Sequence, residues 1–263
     1  DPEFDEGPYQ SEVASILGTN HSEIVVSAAD IGEIFPEMIR NTECPVLRTA
    51  PAPLLLLSRH VRESGFKVVV TGEGADEVFS GYDIFRENKV RRFLARDPES
   101  DVRSEIINSL YPWMVRSPGQ TPAFATAFYS KRLDIDDPFF SHRPRWDSTS
   151  SIIRLISNDY RYELNKSDSV EALKKILPDN SENWGALSRA QWIEMTTLLS
   201  GYILSSQGDR MLMANSVEGR FPFLDYRVVD FAAKLPDRHK LMWLNEKHIL
   251  KKAFGDIIPE SVL

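Results

Sequence analysis

Cysteine is almost missing from these 263 residues: Cys44 stands alone, so neither an intramolecular disulfide nor a cysteine-rich zinc site can be built. It reads as a small thiol, buried or half-buried, ahead of Pro45. Histidine is sparse as well, and His21, His60, His142, His239 and His248 show no close ligand spacing, which excludes a metal triad from the pattern. A Gly-x-Ser-x-Gly elbow is absent, and no Ser-His-Asp triad can be argued. No unbroken apolar run is longer than Leu54 to Leu57, whereas a membrane helix needs roughly 20 residues. Asp1-Pro2-Glu3-Phe4 lacks the basic and apolar regions of a signal peptide and reads as the start of a chain that begins mid-protein. Positive charge is in deficit, 31 Lys and Arg against 39 Asp and Glu for a net charge of −8. That balance argues against a nucleic-acid binder working by general phosphate neutralisation, and leaves room for a local basic pocket.

What is present is an ordinary globular composition, 42% hydrophobic and 27% charged, enough for one large domain or two small ones at roughly 150 residues each. Tyr9, Val13, Ile16 and Leu17 recur at helical spacing behind Pro8, with Gly18 as a stop. Ile24-Val25-Val26 predicts a short strand over Glu23 to Ser27. Ile31, Ile34, Phe35, Met38 and Ile39 share one face of a second helix that Asp30 is placed to cap. A third helix over Pro53 to Ser64 turns Leu54, Leu57 and Val61 inward and ends at Gly65. Phe66 to Thr71 follows, a continuous β-branched run that predicts a strand buried on both faces, as in a parallel sheet.

After Tyr82 the alternation stops, and the rest reads as helices. Trp192, Met195, Leu199 and Tyr202 share one face behind Ser188, and Val228, Phe231, Ala232 and Leu235 another. Loops are expected at Ser117 to Pro122, Asp134 to His142 and Pro178 to Trp184. The reading is an α/β part over residues 1–90 followed by a mainly helical part over 91–263. In open α/β sheets ligands bind beyond the carboxyl ends of the strands, so the chemistry is expected where the two parts meet.

The richest string directly follows that strand: Thr71-Gly72-Glu73-Gly74-Ala75-Asp76-Glu77-Val78-Phe79-Ser80-Gly81-Tyr82. Gly72 and Gly74 allow a sharp turn and close approach to a ligand, and three carboxylates stand beside it. Carboxylates crowded near a phosphate need a cation between them, for which Mg²⁺ is suited; an acidic helix start with no ligand fits the same residues. A second string runs from Gly208-Asp209-Arg210 to Phe221-Pro222-Phe223-Leu224-Asp225. Its Asp209, Arg210, Glu218, Arg220 and Asp225 read as a paired, structural charge network. In the third, Glu246-Lys247-His248 opens a helix, with Lys247 and Lys251 one turn apart, either solvated or facing a phosphoryl group. Finally, Arg48 precedes a helix N-terminus, as a loop cap or as a holder of a carboxylate or phosphate.

These strings, with Phe4-Asp5-Glu6, Leu17-Gly18-Thr19-x-His21 and Leu47-Arg48-Thr49-Ala50-x-Ala52-Pro53, resemble the synthetase domain of glutamine-dependent (class B) asparagine synthetases over nearly the whole chain. The resemblance implies an ATP pyrophosphatase fold in a cytoplasmic enzyme. The side-chain carboxylate of aspartate attacks the α-phosphorus of ATP, and ammonia derived from glutamine then displaces AMP from β-aspartyl-AMP. By the same resemblance Thr71 and Gly72 contact ATP, Asp76 holds Mg²⁺, and Lys247 neutralises the departing diphosphate. Glu73 acts in adenylate breakdown as a base toward ammonia, and Arg48 holds substrate or intermediate. Nucleic acid and membrane are not expected partners; a homo-oligomer is. The chain departs from the family pattern in lacking an N-terminal cysteine and the Ser-Gly-Gly-x-Asp-Ser loop that completes the phosphate cradle. Taken alone it is therefore expected to be a weakly active or inactive piece of a longer protein, with an exposed strand edge. The rival readings are a β-lactam synthetase-like or other carboxylate-adenylating amide ligase, from which Gly72-Glu73-Gly74 points away, and a non-catalytic scaffold.

Overall fold

The computed structural model describes residues 5–111, 122–164 and 168–262. The loop expected at Ser117 to Pro122 lies outside the described residues except for Pro122, which opens the helix Pro122–Tyr129, and Phe4 of the first matching string lies outside them too. The chain forms two compact units: Asp1–Gly81 with Glu194–Leu263, and Tyr82–Ile193. The last 70 residues thus belong with the first 81, in place of a single cut near residue 90. The architecture is mostly helical, with one small parallel sheet. Among the described residues no helix is long and apolar enough to cross a membrane.

In the first unit α1 spans Gly7–Leu17, with Pro8 in its first turn and Gly18 left-handed at φ 63° as its stop. No residue of α1 is buried, and Tyr9, Ile16 and Leu17 are exposed. The strand expected at Glu23 to Ser27 does not form: these residues carry no regular structure, and Val25 is 86% exposed. β-branched residues without a neighbouring strand do not make a strand by propensity alone. Helix α2 spans Ala28–Thr42, and Ser27, not Asp30, is its cap. The Asp30 amide donates to Ser27 Oγ at 3.2 Å and the Ser27 amide donates back to Asp30 Oδ2 at 2.7 Å, a reciprocal capping box.

Helix α3, Pro51–Glu63, buries Pro51, Ala52, Leu55 and Ser58, one residue round from the expected face of Leu54, Leu57 and Val61. The neighbour explains the rotation. Helix Arg210–Ala214 packs there with Met211 fully buried, and Ser58 Oγ donates to the Met211 carbonyl at 2.7 Å. Ile34, Met38, Ala52, Leu55 and Met211 form this core.

Strand β1 is Val68–Val70 and pairs in parallel with β2, Glu218–Arg220, in the register Val68↔Glu218 and Val70↔Arg220. The expectation of burial on both faces fails: Val68 is 48% and Val70 66% exposed, because among the described residues nothing covers the face these two residues share, and β2 is the only strand hydrogen-bonded to β1. A second core holds Val78, Phe79 and Ala232, where α4 (Ala75–Phe79) meets the helix Tyr226–Lys234 and the turn Pro222–Leu224. Residues Met195–Asp209 wind as a π-helix, so Leu199, Tyr202, Ile203 and Ser206 turn inward.

The second unit opens with α5, Asp83–Ala95. Its Arg91 is fully buried, and the guanidinium donates to the carbonyls of Tyr129, Lys131, Arg132 and Phe140. Burial pulls its pKa down to about 10. Buried Glu87 accepts from the hydroxyls of Tyr111 and Tyr129 and from Arg145. The segment Pro178 to Trp184, expected as a loop, contains the 3₁₀ turn Asp179–Asn183.

Candidate functional site

The strand pair places the two longest strings side by side. The Glu218 amide donates to the Lys67 carbonyl at 2.8 Å, and the Thr71 amide to the Arg220 carbonyl at 2.9 Å. The chain therefore leaves β1 at Thr71 held against the end of β2. Thr71 Oγ1 is buried there without a hydrogen-bond partner. A buried hydroxyl left unpaired costs about 1–3 kcal/mol, which a bound polar group would relieve. Gly72 is exposed, and a Cβ on it would meet nothing within 4 Å, so the backbone is open to a ligand. Gly74, at φ 91°, makes the turn into α4, and a Cβ there would lie 2.2 Å from Leu224 Cδ2. The second string thereby packs directly onto the acidic turn, and Phe79 meets Phe223 edge-on at 6.1 Å.

Two carboxylates flank this turn. Burial, with a smaller contribution from neighbouring Asp76, raises the pKa of Glu73 above the ordinary carboxylate range. Asp76 Oδ1 accepts from Lys247 Nζ at 2.9 Å, and both side chains are about a third exposed, 36% and 35%. Lys247 reaches it from just outside the last long helix. That helix is His248–Phe254, so Lys247 precedes it as a left-handed cap at φ 50° instead of lying within it. Ile249 and Leu250 pack into the Val78–Phe79 core, which holds the lysine over the turn. Lys251 lies one turn on, its amide donating to the Lys247 carbonyl at 3.1 Å, and its side chain pairs with Glu246 at 2.9 Å.

The other expected residues separate. Arg48 is exposed, its guanidinium carbon 5.6 Å from the centroid of the Tyr202 ring, outside the Asp76–Lys247 contact. The charge network expected in the second string is not one network. Arg220 pairs with Glu218 at the surface, Arg227 with Asp225, and Arg210 with the Thr42 carbonyl and Glu43. Each arginine finds a partner nearby, so no buried charge remains to gather the others. Leu224 and Gly81, which bear on the acidic turn, escaped sequence reasoning although both stand inside the quoted strings.

Among the described residues no group of three or more His, Cys, Asp and Glu could hold a metal by itself. A Mg²⁺ ion shared with phosphate oxygens needs only one or two carboxylates, and Asp76, about a third exposed, offers one.

The chain matches the asparagine synthase family over residues 1–263. It belongs to that family. It is similar to a putative asparagine synthetase [glutamine-hydrolyzing] of Mycobacterium tuberculosis, 30% identical over 95% of this chain and 36% of the relative. It is also similar to asparagine synthetase [glutamine-hydrolyzing] 1 of Bacillus subtilis, 28% identical over 99% of this chain and 39% of the relative. A third relative, amidase chyE of Penicillium rubens, is 26% identical over 98% of this chain and 40% of the relative. The chain thus spans about two fifths or less of the length of these relatives.

Proposed function

We propose that this chain is the greater part of the synthetase domain of an ATP-dependent, asparagine-forming enzyme with an ATP pyrophosphatase fold. The observation that carries the reading is the contact between Lys247 Nζ and Asp76 Oδ1, which joins an acidic turn to a cation 171 residues away beside an open Gly72. The reaction joins aspartate and ATP into β-aspartyl-AMP with release of diphosphate. Ammonia, supplied from glutamine elsewhere in the whole protein, then forms the amide and releases AMP.

Thr71 and Gly72 bind the nucleotide at the end of β1, where a buried hydroxyl lacks a partner and the backbone is uncovered. Asp76 would hold Mg²⁺, which when bound offsets charge on the phosphate oxygens. Lys247 then faces the diphosphate as it leaves, where a positioned cation counters charge that develops in the transition state. Glu73 takes the proton that ammonia loses on attack; its raised pKa makes it a better base than a free carboxylate. Arg48, exposed beside Tyr202, is the candidate to hold the acid substrate.

The test is diphosphate release from ATP by the full-length gene product, with and without aspartate and ammonia, and across a panel of other carboxylic acids. Release that needs aspartate, with asparagine and AMP formed, supports the reading. Release with another acid only favours the second reading, a different carboxylate-adenylating ligase, which the similarity to a relative named an amidase keeps in view. No release with any acid overturns both in favour of a scaffold.

A further inference from the structure

We infer that Gly81 is a positioning residue for Asp76, acting through the space its missing side chain leaves. Helix α4 ends at Ser80, left-handed at φ 63°, and the chain folds back so that the Gly81 amide donates to the Asp76 carbonyl at 2.8 Å. The reversal sets Gly81 directly against the Asp76 side chain. A Cβ on Gly81 would lie 1.8 Å from Asp76 Oδ1, 2.8 Å from its Cγ and 3.0 Å from its Cα. Oδ1 is the same oxygen that accepts from Lys247. The volume of one methyl group is therefore filled by the carboxylate that meets the lysine.

Conformational freedom is not what this glycine supplies. Gly18, Gly65 and Gly74 have positive φ, and Gly81 does not, so what a side chain would meet there is Asp76 and not a forbidden backbone angle. Alanine would swing the carboxylate about its χ1 bond, away from Lys247, and press on the Asp76 Cα, 3.0 Å away. This inference rests on the assignment of Asp76 as metal holder and adds the residue that aims it.

Four versions of the full-length protein test it: wild type, Gly81→Ala, Asp76→Ala, and the double variant. Melting temperatures come first, because they need no turnover. Gly81→Ala lowers the melting temperature in the wild-type background. In the Asp76→Ala background the loss is smaller, since the carboxylate is gone and the methyl meets only the Cα of residue 76, 3.0 Å away. Kinetics follow. Gly81→Ala lowers kcat for diphosphate release more than tenfold and raises the Mg²⁺ concentration for half-maximal rate more than fivefold, with the aspartate KM within twofold. The double variant is no worse than Asp76→Ala. A melting cost of Gly81→Ala that is the same in both backgrounds overturns the inference, as does wild-type kinetics in Gly81→Ala. If the wild type releases no diphosphate, the proposed function fails on its own and the melting-temperature cycle still decides the role of Gly81.

Discussion

At the scale of single residues, the acidic turn combines groups that destabilise with groups that compensate. Burial and Asp76 make the Glu73 anion unfavourable in the folded chain. The folded state then holds the Glu73 proton more tightly than the unfolded state does. The resulting penalty is absent below the unfolded pKa of about 4.3, grows as pH rises to the folded value, and persists above it. Glu73→Gln should therefore raise the melting temperature at pH 7, with the gain vanishing near pH 4, while abolishing amide formation; equal melting at both pH values would refute this. Lys247→Ala makes a contrasting case. An ion pair a third exposed contributes less than about 1 kcal/mol. Diphosphate release in the full-length protein should nonetheless fall by about 10²–10³-fold, as when one preorganised donor to developing charge is removed. The sequence pointed to Glu73 through the long Thr71–Tyr82 string and to Lys247 only through the short pair Glu246-Lys247. The contact of Lys247 with Asp76 was not legible, since no local pattern encodes a pairing across 171 positions.

At the scale of elements, short-range chemistry decided what could be read. Helix α1 was legible from Pro8 and Gly18, and α2 from the spacing of its apolar residues, because caps and periodicity act within one or two turns. The inward face of α3 was not, because Met211 and its carbonyl select which side of the helix is buried. Strand β2 went unseen: Glu218-Gly219-Arg220 has no β-branched residue and is a strand only because β1 lies beside it. Val25 tells the converse story, with strand propensity and no partner. Gly74 is where the elements interlock. Gly74→Ala adds a Cβ at φ 91° into Leu224 and should destabilise the first unit by about 1–3 kcal/mol, measured by denaturant unfolding. Leu224→Ala in the same chain should recover part of that loss, since the clash goes and the strained backbone stays. In the second unit, Arg91→Ala strands four carbonyls and should cost roughly 3–5 kcal/mol, the scale for breaking a buried charged partner.

At the scale of the molecule, β1 is open on one edge among the described residues, with Val68 and Val70 exposed on one face beside it. An uncovered apolar edge is a template for pairing, so the 263-residue chain should self-associate as its concentration rises. Light scattering should show that association and its reduction by Val70→Lys; a monomer at all concentrations would refute it. The first unit is also discontinuous, built from residues on both sides of the second unit. Synthesis must therefore run in a particular order. At roughly 5–20 residues per second a ribosome needs about 10–35 s to travel from Asp76 to Lys247. Throughout that interval the emerging polypeptide carries an acidic turn without its cation, and until residue 218 is made β1 lacks its neighbour. Pulse-labelled nascent chains halted before residue 218 should be cut by protease within residues 1–81 and should gain resistance only once the remainder has been made.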